Sequence, residues 1–67
     1  MNSPQIPHQA LKVPQVCQRT AVSRATLFRM CAAGTFPRPF KLGGGRAVAW
    51  LEADVNTWLE AQAASRV

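Results

Sequence analysis

The N-terminal half of the chain carries two short stretches in which apolar residues recur at helical spacing. Val13, Val16 and Cys17 form the apolar stripe of the first stretch. Pro14 lies near its first turn, where a missing N–H group costs nothing. The second stretch begins after Ser23, a residue well suited to cap a helix N-terminus. The pattern predicts two short helices, and the first, about two turns long, depends on packing for its stability.

The second of these helices has one apolar side and one side of small or charged residues. Its apolar side is formed by Leu27, Met30 and Cys31. Ala25 and Arg29 lie on the opposite side of the helical wheel. Gly34 is suited to end the helix as a C′ residue, and Pro37 prevents its continuation. Two short helices joined by three or four residues, the second well capped, predict a helix-turn-helix.

Three consecutive glycines separate two stretches of alternating apolar residues and predict the tip of a β-hairpin. The expected register pairs residue 42 with 46 and residue 40 with 48, which leaves a three-residue loop. This register brings the large apolar side chains of the hairpin to one face: Phe40, Leu42, Val48 and Trp50. A phosphate-binding loop is not expected, because no Lys-Ser/Thr pair follows the glycines and residues 46–48 are typical of a strand.

A third helix is predicted from Glu52 to about Ser65. Its inward stripe consists of Val55, Trp58 and Leu59. Glu52 and Asp54 lie in its first turn, where negative charge is favourable to the helix dipole. Trp50 and Trp58 are expected in the core, because aromatic side chains supply much of the burial available to a small domain.

Charge is distributed unevenly along the chain. Its 67 residues hold one small domain, expected over residues 10–66, and residues 1–9 are predicted to form a flexible tail. The net charge is +5, and residues 1–51 carry seven Lys and Arg residues and no Asp or Glu. Positive charge gathered in one part of the chain is typical of a nucleic-acid binder. A solvated basic face is the alternative interpretation.

Several other classes of function find no support in the residues. Cys17 and Cys31 fall on apolar helical positions, and His8 is the one histidine, so no metal site or cofactor is expected. No nucleophile–base pair and no carboxylate pair occurs in the basic portion, which argues against an enzyme and against a small-molecule ligand. The longest apolar run, residues 47–51, is far shorter than the roughly 18 residues of a membrane span. The first five residues lack the features of a secretory signal. A cytoplasmic protein is expected.

The N-terminal residues of the second helix are suited to contact a DNA groove. Ser23, Arg24, Ala25 and Thr26 are small or positively charged and allow close approach, and Arg29 projects one turn later. Recognition helices contact base edges with their N-terminal residues, and arginine pairs with guanine through two hydrogen bonds. The alternative is that the two arginines merely solvate an exposed face.

Four spaced motifs extend this interpretation. They are Ser-Arg-x-Thr at residues 23–26, Gly-x-Phe-Pro-x-Pro at 34–39, Arg-x-Val-x-Trp at 46–50 and a final Trp at 58. Their combination resembles the AlpA-type prophage regulators, which are related to excisionases and to the DNA-binding end of the MerR regulators. The resemblance covers about residues 11–60, nearly the whole predicted domain.

The resemblance implies a small winged helix-turn-helix, mostly α with a β-hairpin, in the order helix, helix, hairpin, helix. It implies a sequence-specific transcriptional regulator of prophage or mobile-element genes, with residues 23–33 in the major groove and residues 39–50 as a wing on the backbone. It also implies a protein that is bacterial or phage-encoded and associated with the nucleoid. The DNA-binding residues expected on this basis are Ser23, Arg24, Ala25, Thr26, Phe28, Arg29, Lys41 and Arg46. Thr26 and Arg29 are expected to face bases, whereas the other cations hold phosphates.

The chain departs from the family pattern at two places. Ala21 stands where the family usually has glycine in the helix–helix turn. If that position requires a positive φ, alanine costs on the order of 1 kcal/mol; otherwise the turn has a different shape. The three-glycine tip at residues 43–45 is longer than the usual loop, which affects the reach of the wing and the contact expected of Arg46.

The partner expected is double-stranded DNA. A further partner is expected to be either a second copy of the chain, bound cooperatively at paired sites, or a recombinase or RNA polymerase. Three alternatives stay open at this point. A terminase-type packaging subunit would normally carry a long extra segment for partner binding, which these 67 residues lack. An excisionase-like recombination directionality factor would use the same surface to bend DNA. A protein-interaction module, a different class, would dock an acidic partner on the basic face and would have no affinity for duplex DNA.

Overall fold

The computed structural model describes residues 9–66 of the chain. They form three helices and three short strands: β1 (Ala10–Leu11), α1 (Val13–Thr20), α2 (Arg24–Ala33), β2 (Phe40–Lys41), β3 (Val48–Leu51) and α3 (Glu52–Ala64). The predicted order of helix, helix, hairpin and helix is confirmed, and the arrangement is that of a small winged helix-turn-helix. Residues 1–8, within the segment expected to be a flexible tail, lie outside the described residues.

The second helix begins and ends where its capping residues predict. The Oγ atom of Ser23 accepts the N–H of Thr26 at 3.1 Å and caps the start of α2. Gly34, at φ 81°, ends α2 in the left-handed region. Ala21 ends α1 in the same region, at φ 62°, and donates its N–H to the carbonyl of Cys17 at 2.8 Å. The turn therefore has the shape for which glycine is the usual residue, and Ala21 strains it.

A short strand before α1 extends the predicted hairpin to a three-stranded antiparallel sheet with the order β1-β3-β2. The sequence did not indicate β1. Leu11 pairs with Trp50, and each is 1% exposed. The carbonyl of Gln9 accepts the N–H of Glu52 at 2.8 Å and so satisfies a donor at the start of α3. The strand thus connects the N-terminal end of the described chain to β3 and to the start of α3.

The predicted hairpin register is wrong by one residue. Phe40 pairs with Ala49 and Lys41 with Val48, and the N–H of Leu42 donates to the carbonyl of Ala47. The loop therefore has four residues, 43–46. The reason is that Gly43 and Gly44 both take a positive φ in a tight turn that closes on Gly45, and Arg46 is an extra residue beyond that turn.

This one-residue shift exchanges the faces of β2. Phe40 lies on the opposite face from Trp50 and is 38% exposed. Lys41 instead shares the face of Val48 and Trp50. The prediction that Phe40 and Leu42 share a face with Val48 and Trp50 is therefore wrong as well.

The core gathers one or two residues from most of the elements. Its buried members are Leu11, Val16, Leu27, Cys31, Phe36, Trp50 and Val55. Phe36 packs edge-on against both tryptophans, with ring centroids 6.2 Å from Trp50 and 4.8 Å from Trp58. The two indole N–H groups donate at 2.7 Å to the carbonyls of Pro37 and Thr35. These contacts hold the segment between α2 and β2, and they account for the aromatic residue of its motif.

The third helix is attached to α1 by an ion pair. Arg19 donates through Nη2 to Oε2 of Glu52 at 2.8 Å and through Nη1 to Oδ1 of Asn56 at 3.4 Å. The side chains of Arg19 and Glu52 are 38% and 29% exposed, so the pair contributes modestly, about 0.2–1 kcal/mol. Within residues 9–66, no helix is long and apolar enough to cross a membrane.

Candidate nucleic-acid interface

The N-terminal end of α2 concentrates positive charge. Its first turn contains no acidic residue, and its first residue is the exposed Arg24. A helix N-terminus carries about half a positive charge from its unpaired N–H groups. Ser23 and Thr26, whose hydroxyl oxygens lie 3.0 Å apart, cap this end without adding negative charge. Helix dipole and side chain thus act in the same direction and favour an anion there.

The side of α2 predicted to be exposed is exposed. Ala25 and Arg29 face the solvent, whereas Leu27 and Cys31 are buried on the other side of the helix. The small side chain of Ala25 leaves room for a ligand to approach the helix backbone beside the guanidinium of Arg29, one turn later. In the part of the chain that the structure describes, Arg29 has no carboxylate within ion-pair distance.

Two of the predicted contact residues of α2 are half-buried. Thr26 is engaged in the Ser23 cap. Phe28 packs against the core, with its ring centroid 6.1 Å from that of Trp50. The guanidinium carbon of Arg24 lies 5.3 Å from the centroid of the same Phe28 ring. Phe28 therefore stands between the cationic end of α2 and strand β3.

The corrected register brings Lys41 to the same side of the sheet as α2. Its partner Val48 shares a sheet face with Trp50, and Trp50 contacts Phe28 of α2. Arg46 lies beyond the tight turn, exposed, in the loop of the wing. The structure thus places Lys41 on the helix side of the sheet and Arg46 at the tip of the hairpin.

The cations of the first 51 residues do not all belong to one free surface. Arg19 is occupied by Glu52, which removes it from the positive surface. The others are exposed and have no ion pair within residues 9–66: Lys12, Arg24, Arg29, Arg38, Lys41 and Arg46. Arg38 was absent from the residues predicted to bind. Arg38 lies between two prolines, which restrict the backbone and are visible in the sequence. The hydrogen bond from Trp50 to the carbonyl of Pro37 holds the same segment, so Arg38 is a cation on rigid backbone.

The remaining chemistry of the domain is sparse. Burial raises the pKa of the Cys31 thiol, and its Sγ lies 3.6 Å from the carbonyl of Pro37, so it stays protonated and behaves as a core residue. Across residues 9–66 no group of three His, Cys, Asp or Glu side chains could hold a metal ion. An open groove of about 460 Å³ along α3 contains one titratable group, Asp54. A single exposed carboxylate does not form an acid–base pair.

Comparison with known proteins gives a family. The family model described as prophage CP4-57 regulatory protein (AlpA) matches residues 9–63. An uncharacterized protein of Enterobacteria phage P4, ORF88, is 38% identical over 56 residues. The match covers 84% of this chain and 62% of that protein, so the chain spans about three fifths of its relative's length. No solved structure matches the chain. The match with the family model extends over nearly all the described residues, and the chain belongs to the AlpA family of prophage regulatory proteins.

Proposed function

We propose that this prophage regulatory protein acts as a sequence-specific binder of double-stranded DNA. In this proposal α2 lies in the major groove, the hairpin of β2 and β3 lies along the phosphate backbone, and bound protein regulates transcription of prophage or mobile-element genes. The family supports the regulatory role, and the charge and shape of α2 support the means by which it is carried out.

One observation carries the proposal: α2 begins with a cation and contains no carboxylate in its first turn. A cation at a helix N-terminus costs stability, because it opposes the helix dipole. Residues that break a local rule of stability are concentrated at functional sites. The positive end of α2 therefore favours a polyanion as ligand.

The roles of the side chains follow from where they lie. Arg29 projects from the exposed side of α2 and would contact a base edge, with guanine as the partner that best fits its two parallel donors. Arg24 and the N–H groups next to Ser23 would hold phosphates at the helix start. Lys41 and Arg46 would hold phosphates from the wing. Thr26 would donate its hydroxyl to a base while it stays in the cap.

The test begins with duplexes selected by the protein from a random-sequence pool. Binding of the best duplex is measured against salt concentration. About four to five neutralised phosphates predict that log K falls against log salt with a slope of roughly −4. A slope near zero, or no duplex binding at low salt, contradicts the proposal. The second result would favour the protein-interaction alternative.

Two variants separate the base contacts from the phosphate contacts. Arg29→Ala is expected to weaken binding of the selected duplex by about 1–3 kcal/mol and to reduce discrimination at one base pair. Arg46→Ala is expected to weaken all duplexes alike and to reduce the salt slope by about 1. Arg66→Ala, at the end of α3, is the matched control, because it removes the same charge away from the proposed surface.

A further inference from the structure

We propose that Phe28 is a positioning residue, which holds the guanidinium of Arg24 in place for a phosphate of the DNA and does not itself contact DNA. This inference rests on the proposed function and assigns a role to a residue that the sequence places in the binding surface. The observation behind it is a continuous stack of three side chains, Arg24, Phe28 and Trp50.

The outer contact of the stack has the geometry of a cation–π interaction. The Arg24 guanidinium carbon is 5.3 Å from the centroid of the Phe28 ring, within the roughly 6 Å over which the ring quadrupole attracts a cation. The two residues are four apart in α2 and so lie on neighbouring turns of one face. A guanidinium held over an aromatic ring keeps its full charge and can still donate N–H groups to a phosphate.

The inner contact fixes the ring. Phe28 is half-buried and its ring lies 6.1 Å from that of Trp50, tilted by 55°. Trp50 is 1% exposed, and its indole N–H donates to the carbonyl of Pro37 at 2.7 Å. The ring against which Arg24 stacks is thus packed on the buried core of the domain.

Such an attachment matters because a free arginine side chain loses much rotamer freedom when it binds. Arginine carries about 2 kcal/mol of side-chain entropy, and ordering it before binding lowers the cost of association. Within residues 9–66, Arg24 has no carboxylate partner that would hold it in another place or neutralise it. The stack orders the guanidinium and leaves its charge available.

A double-mutant cycle tests this role. The variants Phe28→Leu, Arg24→Ala and the pair together are titrated with a mixed-sequence duplex at low salt. Phe28→Leu keeps an apolar side chain but removes the ring, and a loss of about two- to fivefold in affinity is expected from the energy of an exposed cation–π contact. The salt slope should stay as in the wild type, because no charge is removed. In the Arg24→Ala background the same substitution should cause no further loss.

Two controls separate positioning from packing. Phe28→Tyr keeps the aromatic face and should bind as the wild type does. Phe36→Leu makes the same substitution in another ring that contacts Trp50, 6.2 Å away. Among the described residues no cation lies over the Phe36 ring, so the folded form of this variant should retain full affinity. If the leucine variants fold poorly, the wild type alone suffices: the Arg24 side-chain protons should be shifted upfield by the Phe28 ring current, and unshifted protons overturn the proposal.

The outcomes distinguish this inference from the proposed function. Equal losses from Phe28→Leu with and without Arg24 would show that Phe28 acts through direct contact or through the fold, and would overturn it. If Arg24→Ala leaves duplex binding unchanged while Arg29→Ala weakens it, the proposed function stands and the positioning role is wrong. If the wild-type protein binds no duplex, both are wrong.

Discussion

The helices α2 and α3 differ most at their N-termini. The first turn of α3 holds Glu52 and Asp54, both favourable to its dipole, and Glu52 also pairs with Arg19. The first turn of α2 holds no acidic residue and begins with Arg24, which is unfavourable. The start of α3 is thus built for stability, whereas α2 gives up some stability to keep a positive end exposed. That difference is the reason for which we propose a binding surface on α2.

The difference between the two helices can be removed by placing a negative charge in the first turn of α2, where α3 has two. Ala25→Glu places a carboxylate on the exposed second residue of α2, with Ala25→Gln as the uncharged control of equal size. Relative to that control, the carboxylate should raise the free energy of unfolding by about 0.3–1 kcal/mol, because it complements the helix dipole. It should weaken duplex binding by about tenfold or more, because it faces phosphates of like charge.

Thermal unfolding and fluorescence titration with the selected duplex give the two quantities for each variant. An Ala25→Glu protein that is more stable and binds DNA as well as its glutamine control would show that the first turn of α2 does not face the ligand.

The turn between α1 and α2 contains a strained residue, Ala21, whose replacement should raise stability without changing the charge of the protein. Ala21 holds a φ of 62°, at which a Cβ is unfavourable, and glycine has no such penalty. We expect Ala21→Gly to raise the free energy of unfolding by on the order of 1 kcal/mol and to leave duplex affinity unchanged. Chemical denaturation measures the first effect. Destabilisation by glycine would contradict the left-handed turn.

The start of α3 offers the reverse experiment. Glu52→Gln removes both the ion pair with Arg19 and a favourable charge at the helix N-terminus, and should lower the free energy of unfolding by about 1 kcal/mol. Asp54→Asn, which affects the dipole alone, should cost less. Neither variant should weaken duplex binding, since both carboxylates lie outside the proposed surface. A loss of affinity in either variant would extend the binding surface to α3.

The helices and their ends could be predicted because each is determined by nearby residues. Ser23 and Gly34 are capping residues that act within one turn, and the apolar side of α2 follows from helical periodicity. The aromatic core could be anticipated from the size of the tryptophans in so small a chain. The exposure of Ala25 and Arg29 follows from the same periodicity, which is why the face of the candidate site could be named in advance.

Features that depend on distant residues could not be predicted in this way. Strand β1 has two residues, too few to show a period, and it exists because β3 offers an edge to pair with. The hairpin register depends on which glycines take a positive φ, and three consecutive glycines are compatible with more than one register. The Arg19–Glu52 pair and the Phe28–Trp50 contact join residues far apart in the chain, so no local sequence pattern predicts them.

The comparison of the two helices is tested most directly by titrating the labelled protein with the selected duplex and following its backbone amide resonances by NMR. The account predicts that the largest shifts fall on residues 23–29 and 41–46, whereas the amides of α3 from residue 55 onward change little. Large shifts along α3 with an unaffected α2 would contradict it.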